Sequence, residues 1–99
     1  MKLHLYSLKN RLSGIYDRPF AEIYDEKEYT ELLTSSLAMA PVADLERNKE
    51  YDLYSIGVYE TKTGQIESTE IAFVMSLESI CLTYLAAKSK KEEDHVAEM

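Results

Sequence analysis

The sequence predicts an α+β domain, an antiparallel sheet of four or five strands with two helices packed on one face. Three observations lead there. Short tyrosine-rich stretches alternate polar and apolar residues, as half-buried strands do. Two longer stretches carry apolar residues at helical spacing. Turn residues (Asn10, Ser13, Gly14, then Gly64) separate adjacent strand-like segments, which favours hairpins over crossovers.

Each element has its own signal. Residues 2–8 alternate, with Leu3, Leu5 and Ser7 on one side and His4, Tyr6 and Leu8 on the other. Lys9 to Gly14 reads as a turn, Ile15-Tyr16 resumes an extended chain, and Pro19 marks an edge, bulge or break because it has no N–H to donate. Residues 20–24 continue the strand. Asp25 is placed to cap a helix whose stripe is Tyr29, Leu32, Leu33, Leu37 and Ala40, with Glu28 in capping-box position. Ala40 precedes Pro41, which disfavours helical geometry, so the helix stops there. Residues 42–50 read as a polar connection with room for one helical turn.

Residues 51–59 form the clearest strand. Tyr54, Ile56 and Val58 are expected on one side and Tyr51, Leu53, Ser55, Gly57 and Tyr59 on the other, and apolar groups on both sides place it centrally. Gly57 within it signals a bulge or a close backbone approach. Residues 60–64 read as a hairpin loop, 65–68 as the returning strand, and 69–75 as a further strand. Ser76 is placed to cap a second helix with the stripe Leu77, Ile80, Cys81, Tyr84, Leu85 and Lys88. The core is expected to include Leu32, Leu33, Leu37, Ile56, Val58, Ile80 and Leu85. The 99 residues make a single domain, 1–99, whose residues 88–99 form a charged C-terminal tail that either extends the second helix or frays.

Composition bounds the chemistry. Apolar residues make up 45% and charged residues 29%, ordinary for a globular chain. One cysteine allows no internal disulfide and suits a reducing compartment. No stretch approaches the ~20 apolar residues of a membrane span, and no export signal is evident. Catalytic material is scarce, so no enzyme, cofactor or metal site is expected. The histidines, His4 and His95, share no motif, and Cys81 lies on an apolar stripe where a buried thiol is expected. Glu92, Asp94, His95 and Glu98 form the one ligand-rich cluster, best read as a solvated tail.

The net charge of −7 argues against a non-specific DNA coat, since phosphate binding needs clustered Lys and Arg. The charge is uneven. Residues 1–18 hold Lys2, Lys9, Arg11 and Arg18 against Asp17 alone, a net +3, and the remaining residues hold 7 basic and 17 acidic groups, a net −10. A basic hairpin therefore sits on an acidic chain. Six of the eight tyrosines (Tyr6, Tyr16, Tyr24, Tyr51, Tyr54 and Tyr59) fall on expected strands. Such rings either pack against cross-strand neighbours or stack on unpaired bases.

Ser13-Gly14-Ile15-Tyr16-Asp17-Arg18-Pro19-Phe20 resembles the S-G-x-Y-x-x-P-F element near the start of a small non-structural protein of gokushoviruses, tailless single-stranded DNA phages of the microvirus group. The stretch from Glu50 to Gly64, Glu-Tyr-Asp-Leu-Tyr-Ser-Ile-Gly-Val-Tyr-Glu-Thr-Lys-Thr-Gly, is similar to that family's second conserved element. The two lie in the same order and span residues 1 to about 66. The resemblance implies a protein absent from the virion, made in the host cytoplasm, that binds DNA or helps turn replication toward single-stranded genome synthesis and packaging.

Two readings follow. In the first, the chain is a homodimeric phage accessory protein acting in genome replication or packaging. It contacts single-stranded DNA through Lys9, Arg11 and Arg18 with Tyr6 and Tyr16, or contacts a replication or assembly protein instead. In the second, it is an acidic protein-interaction module, an assembly helper or a DNA-mimic-like inhibitor of a host factor.

Overall fold

The computed structural model describes the backbone of residues 1–97 and the side chains of residues 1–89. Seven elements follow one another: β1 (Lys2–Asn10), β2 (Phe20–Glu22), α1 (Glu26–Ala38), α2 (Val42–Asn48), β3 (Tyr51–Glu60), β4 (Gln65–Ser76) and α3 (Glu78–Ala97). The strands form one antiparallel sheet in the order β2-β1-β3-β4. The α+β class and the four-stranded antiparallel sheet are as the sequence predicts, but there are three helices rather than two.

Two hairpin turns use the same device. Gly14 and Gly64 both have positive φ (74° and 71°), and each donates its N–H to the carbonyl four residues earlier, Asn10 and Glu60, at 2.8 Å. The residue opening each turn also accepts with its side chain. Asn10 Oδ1 takes the Leu12 and Ser13 amides, and Glu60 Oε1 takes the Lys62 amide. A residue with Cβ would hold the left-handed backbone at a cost, so glycine is needed in both places.

α1 starts as its sequence implies, with Asp25 Oδ1 accepting the Glu28 amide at 2.9 Å. The polar connection after Pro41 is a true helix, α2. Its Leu45 is fully buried and meets Leu37, Leu77 and Cys81. A seven-residue helix with one buried apolar residue carries too little periodicity to declare itself in the sequence. Leu8, Leu33, Ala40, Tyr51 and Met75 pack around that cluster, so it joins the three helices to the sheet. Leu53 and Tyr6 are buried as well. The Ser76 hydroxyl accepts the Glu78 amide at 3.3 Å, at the start of α3.

The expected core is corrected in part. Leu37 is buried, but Leu32 is 43% exposed because the buried side of α1 runs through Tyr29, Leu33 and Leu37, and Leu32 lies a quarter-turn away. Leu33, Ile56, Val58, Ile80 and Leu85 are half-buried rather than sealed.

Residues 65–68 and 69–75 are one strand, not two. They are joined where Thr69, Glu70 and Ile71 together oppose the single residue Ile56. Ile56 has no partner in the β1 ladder either. This bulge changes which side chains share a side of the sheet. Leu53 and Ser55 pair with Leu8 and Tyr6, while past the bulge it is Val58, not Gly57, that pairs with His4. Val58 therefore joins the side of Leu53, and Gly57 and Tyr59 join that of Tyr54. Gly57 is required here, because a Cβ would come within 2.9 Å of the Glu67 carbonyl oxygen on β4.

Replacing Leu45 with Ala is expected to cost ~2–5 kcal/mol, the price of emptying a packed site, whereas Leu32→Ala at the exposed side of α1 should cost under ~1 kcal/mol. Urea unfolding of both variants checks the difference.

Candidate nucleic-acid interface

Strand alternation separates the five residues expected to touch DNA. Tyr6 points to the side of the sheet that meets the helices and is 0% exposed. Its ring stacks on Tyr29 of α1 (5.0 Å between centroids, 15° between planes) and lies 6.0 Å from Phe20. Its hydroxyl donates to the Tyr24 carbonyl at 3.0 Å. Burial, and after it the carboxylates of Glu26 and Asp25, push the phenol up to about 12. A ring held on three sides cannot receive a base, so Tyr6 belongs to the core.

Arg11 is engaged within the protein. Its guanidinium donates to Asp52 Oδ1 at 2.9 Å, to Ser76 Oγ at 3.1 Å and to the carboxylate of Glu78. The bond to Asp52 contributes most to holding its charge. The side chain thus ties the β1 turn to β3, to the end of β4 and to the first turn of α3. The Arg11 amide adds a bond to the Glu50 carbonyl at 2.8 Å. This side chain clamps four elements, and its charge is already matched.

Lys9 and Tyr16 remain together. The chain after the first turn runs back beside β1, bridging Lys9 to Tyr16 and donating the Asp17 amide to the Leu8 carbonyl. The Ser7 hydroxyl donates to the Asp17 carbonyl at 2.8 Å and holds this segment in place. The Lys9 ammonium lies 5.3 Å from the Tyr16 ring centroid and 5.7 Å from that of Tyr54, within cation–π range. Arg18 is exposed, makes no ion pair with a described residue, and stands one residue before the Pro19 break.

Two further rings complete the site. Tyr16 meets Tyr54 edge-on (5.5 Å, 75°), and Tyr54 meets Phe73 edge-on (5.8 Å, 80°). The row Tyr16–Tyr54–Phe73 therefore crosses from the β1-flanking segment over β3 to β4, with the Lys9 ammonium over its first two rings. Phe73 is 57% exposed and Tyr16 40%. Tyr54 stood among the strand tyrosines of the sequence. Phe73 lay in an apolar run with no sign of its side, and only its pairing with Tyr54 brings it into the row.

Other chemistry is sparse among the described residues. No group of three His, Cys, Asp or Glu side chains there could hold a metal ion. Cys81 is buried and its thiol is pushed up by that burial, which suits the core-thiol reading. The cluster Glu92, Asp94, His95 and Glu98 lies outside the described side chains. No helix among the described residues is long and apolar enough to cross a membrane. In comparisons with known proteins, no family model, no curated protein and no solved structure matches this chain.

Two outcomes follow from these contacts. Arg11→Ala should lower the urea midpoint clearly more than Arg18→Ala, because it leaves Asp52 and Glu78 without their shared cation. Tyr6 ionises near 10.0 when unfolded and at about 12 when folded, so its contribution to stability is intact below pH 10 and is lost as the pH rises toward 12. Tyr6→Phe should flatten that alkaline decline in urea midpoints measured from pH 8 to 12.

Proposed function

We propose that this chain is a non-catalytic phage accessory protein that holds unpaired bases of single-stranded DNA during genome replication or packaging in the host cytoplasm. The observation that carries the reading is the row Tyr16–Tyr54–Phe73 with the Lys9 ammonium over it. Exposed rings on a sheet offer faces on which bases stack, and stacking tolerates any base. Lys9, with Arg18 nearby in sequence, supplies the phosphate contacts that Arg11 cannot, its guanidinium being already matched. The resemblance to the gokushovirus protein supports the same role, and the Tyr16 of its first element and the Tyr54 of its second are neighbours here.

The second reading, an acidic protein-interaction module, is favoured by the net charge of −7 and by the exposed Ile66, Ile71 and Phe73 along β4. Under it a second copy, in a homodimer, or an assembly protein covers the row.

Fluorescence anisotropy with labelled oligo-dT across a salt series tests the choice. Under the first reading, Tyr54→Ala and Phe73→Ala each weaken binding by ~1–3 kcal/mol. The log–log salt slope stays near ~1.4, the contribution of two phosphate contacts to a single strand. Arg11→Ala leaves that slope unchanged. A parent protein that binds no oligo-dT, together with a dimer in light scattering, moves the assignment to the second reading.

A further inference from the structure

We propose that a groove on the outward side of α1 docks a cationic amphipathic segment of another protein. The groove, of about 370 Å³, is lined by Tyr24, Glu28, Glu31, Leu32 and Ser35. It lies on α1, away from the aromatic row, and it does not depend on the DNA reading.

Its floor and its rim differ in chemistry. Leu32 and Tyr24 supply apolar surface, and Leu32 is left open although its helix has a well-filled buried side. Glu28 and Leu32 are four residues apart, as are Glu31 and Ser35, so the four side chains form one patch on the helix surface. Ile23, next to Tyr24 in the chain, is also exposed.

The charge around the groove has one sign. Residues 17–31 hold Asp17, Glu22, Asp25, Glu26, Glu28 and Glu31 against Arg18 and Lys27. None of these six carboxylates forms an ion pair with a described residue, whereas Asp44, Glu46, Asp52, Glu60, Glu67 and Glu78 all do. The unmatched charge is felt nearby, where Glu26, Asp25 and Glu22 add to burial in raising the Tyr6 and Tyr29 phenols. Nucleic acid would be repelled here. A segment that sets leucine-like side chains on the floor and lysine or arginine on the rim matches both features, in the manner of a helix laid into a groove.

The probe is a short labelled peptide with leucine and lysine at helical spacing, and its control carries glutamate in place of lysine. Binding is read by anisotropy on the full chain. The parent should bind the lysine peptide and not the control. The pair Glu28→Gln with Glu31→Gln should weaken binding about tenfold, and Leu32→Ser by a similar factor. Glu67→Gln with Glu70→Gln, the same charge change on β4, should leave it within about twofold. Circular dichroism and urea midpoints close to the parent's establish that the variants fold. Equal weakening by both carboxylate pairs would reduce the binding to general acidity and overturn the proposal, as would no binding by the parent. Self-association of the parent that the Glu28, Glu31 pair abolishes would assign the groove to a second copy and also overturn it.

Discussion

The bulge at Ile56 is the constraint on which the rest of the sheet depends. One residue of β3 drops out of both ladders, and three residues of β4 crowd opposite it. Up to that point Tyr54 faces away from the helices and Leu53 faces into the core. Beyond it the alternation restarts with the opposite parity, so Gly57 and Tyr59 follow Tyr54 and Val58 follows Leu53. Without the bulge, Gly57 would lie on the side of Leu53, and the close approach to the Glu67 carbonyl would fall on a different residue. The break also keeps β4 from being a straight, flat edge, which limits strand pairing with other chains.

Electrostatics divide the molecule in a way the net charge conceals. The basic N-terminal hairpin is consumed in part, with Arg11 matched by Asp52 and Glu78, while Lys9 rests over aromatic faces and pairs with no described carboxylate. The acidic excess is not consumed to the same degree, and the carboxylates from Asp17 to Glu31 make no ion pair with a described residue. A cation lodged among rings on one side of the sheet and an unmatched acidic corner on α1 are two surfaces of opposite character. Each suits a different kind of partner, and each is carried by few residues on a small domain.

The sequence by itself determined the elements whose signals are local. Tyrosine-rich alternation marked β1 and β3, Asp25 marked the start of α1, Pro41 its end, and Gly14 and Gly64 the two turns, because caps, proline and positive φ act within a few residues. Gly57 announced a close approach because no other residue fits one. Periodicity put Tyr6 in a strand and Arg11 in a turn but said nothing about what each would meet. Only the tertiary structure decided that Tyr6 is enclosed by Tyr29 and Phe20, that Arg11 clamps Asp52, Ser76 and Glu78, and that Tyr16, Tyr54 and Phe73 form one row. These contacts join residues 14 to 67 positions apart or turn on a bulge that shifts register. Register between distant strands is set by packing across the whole sheet, not by the residues beside it in the chain.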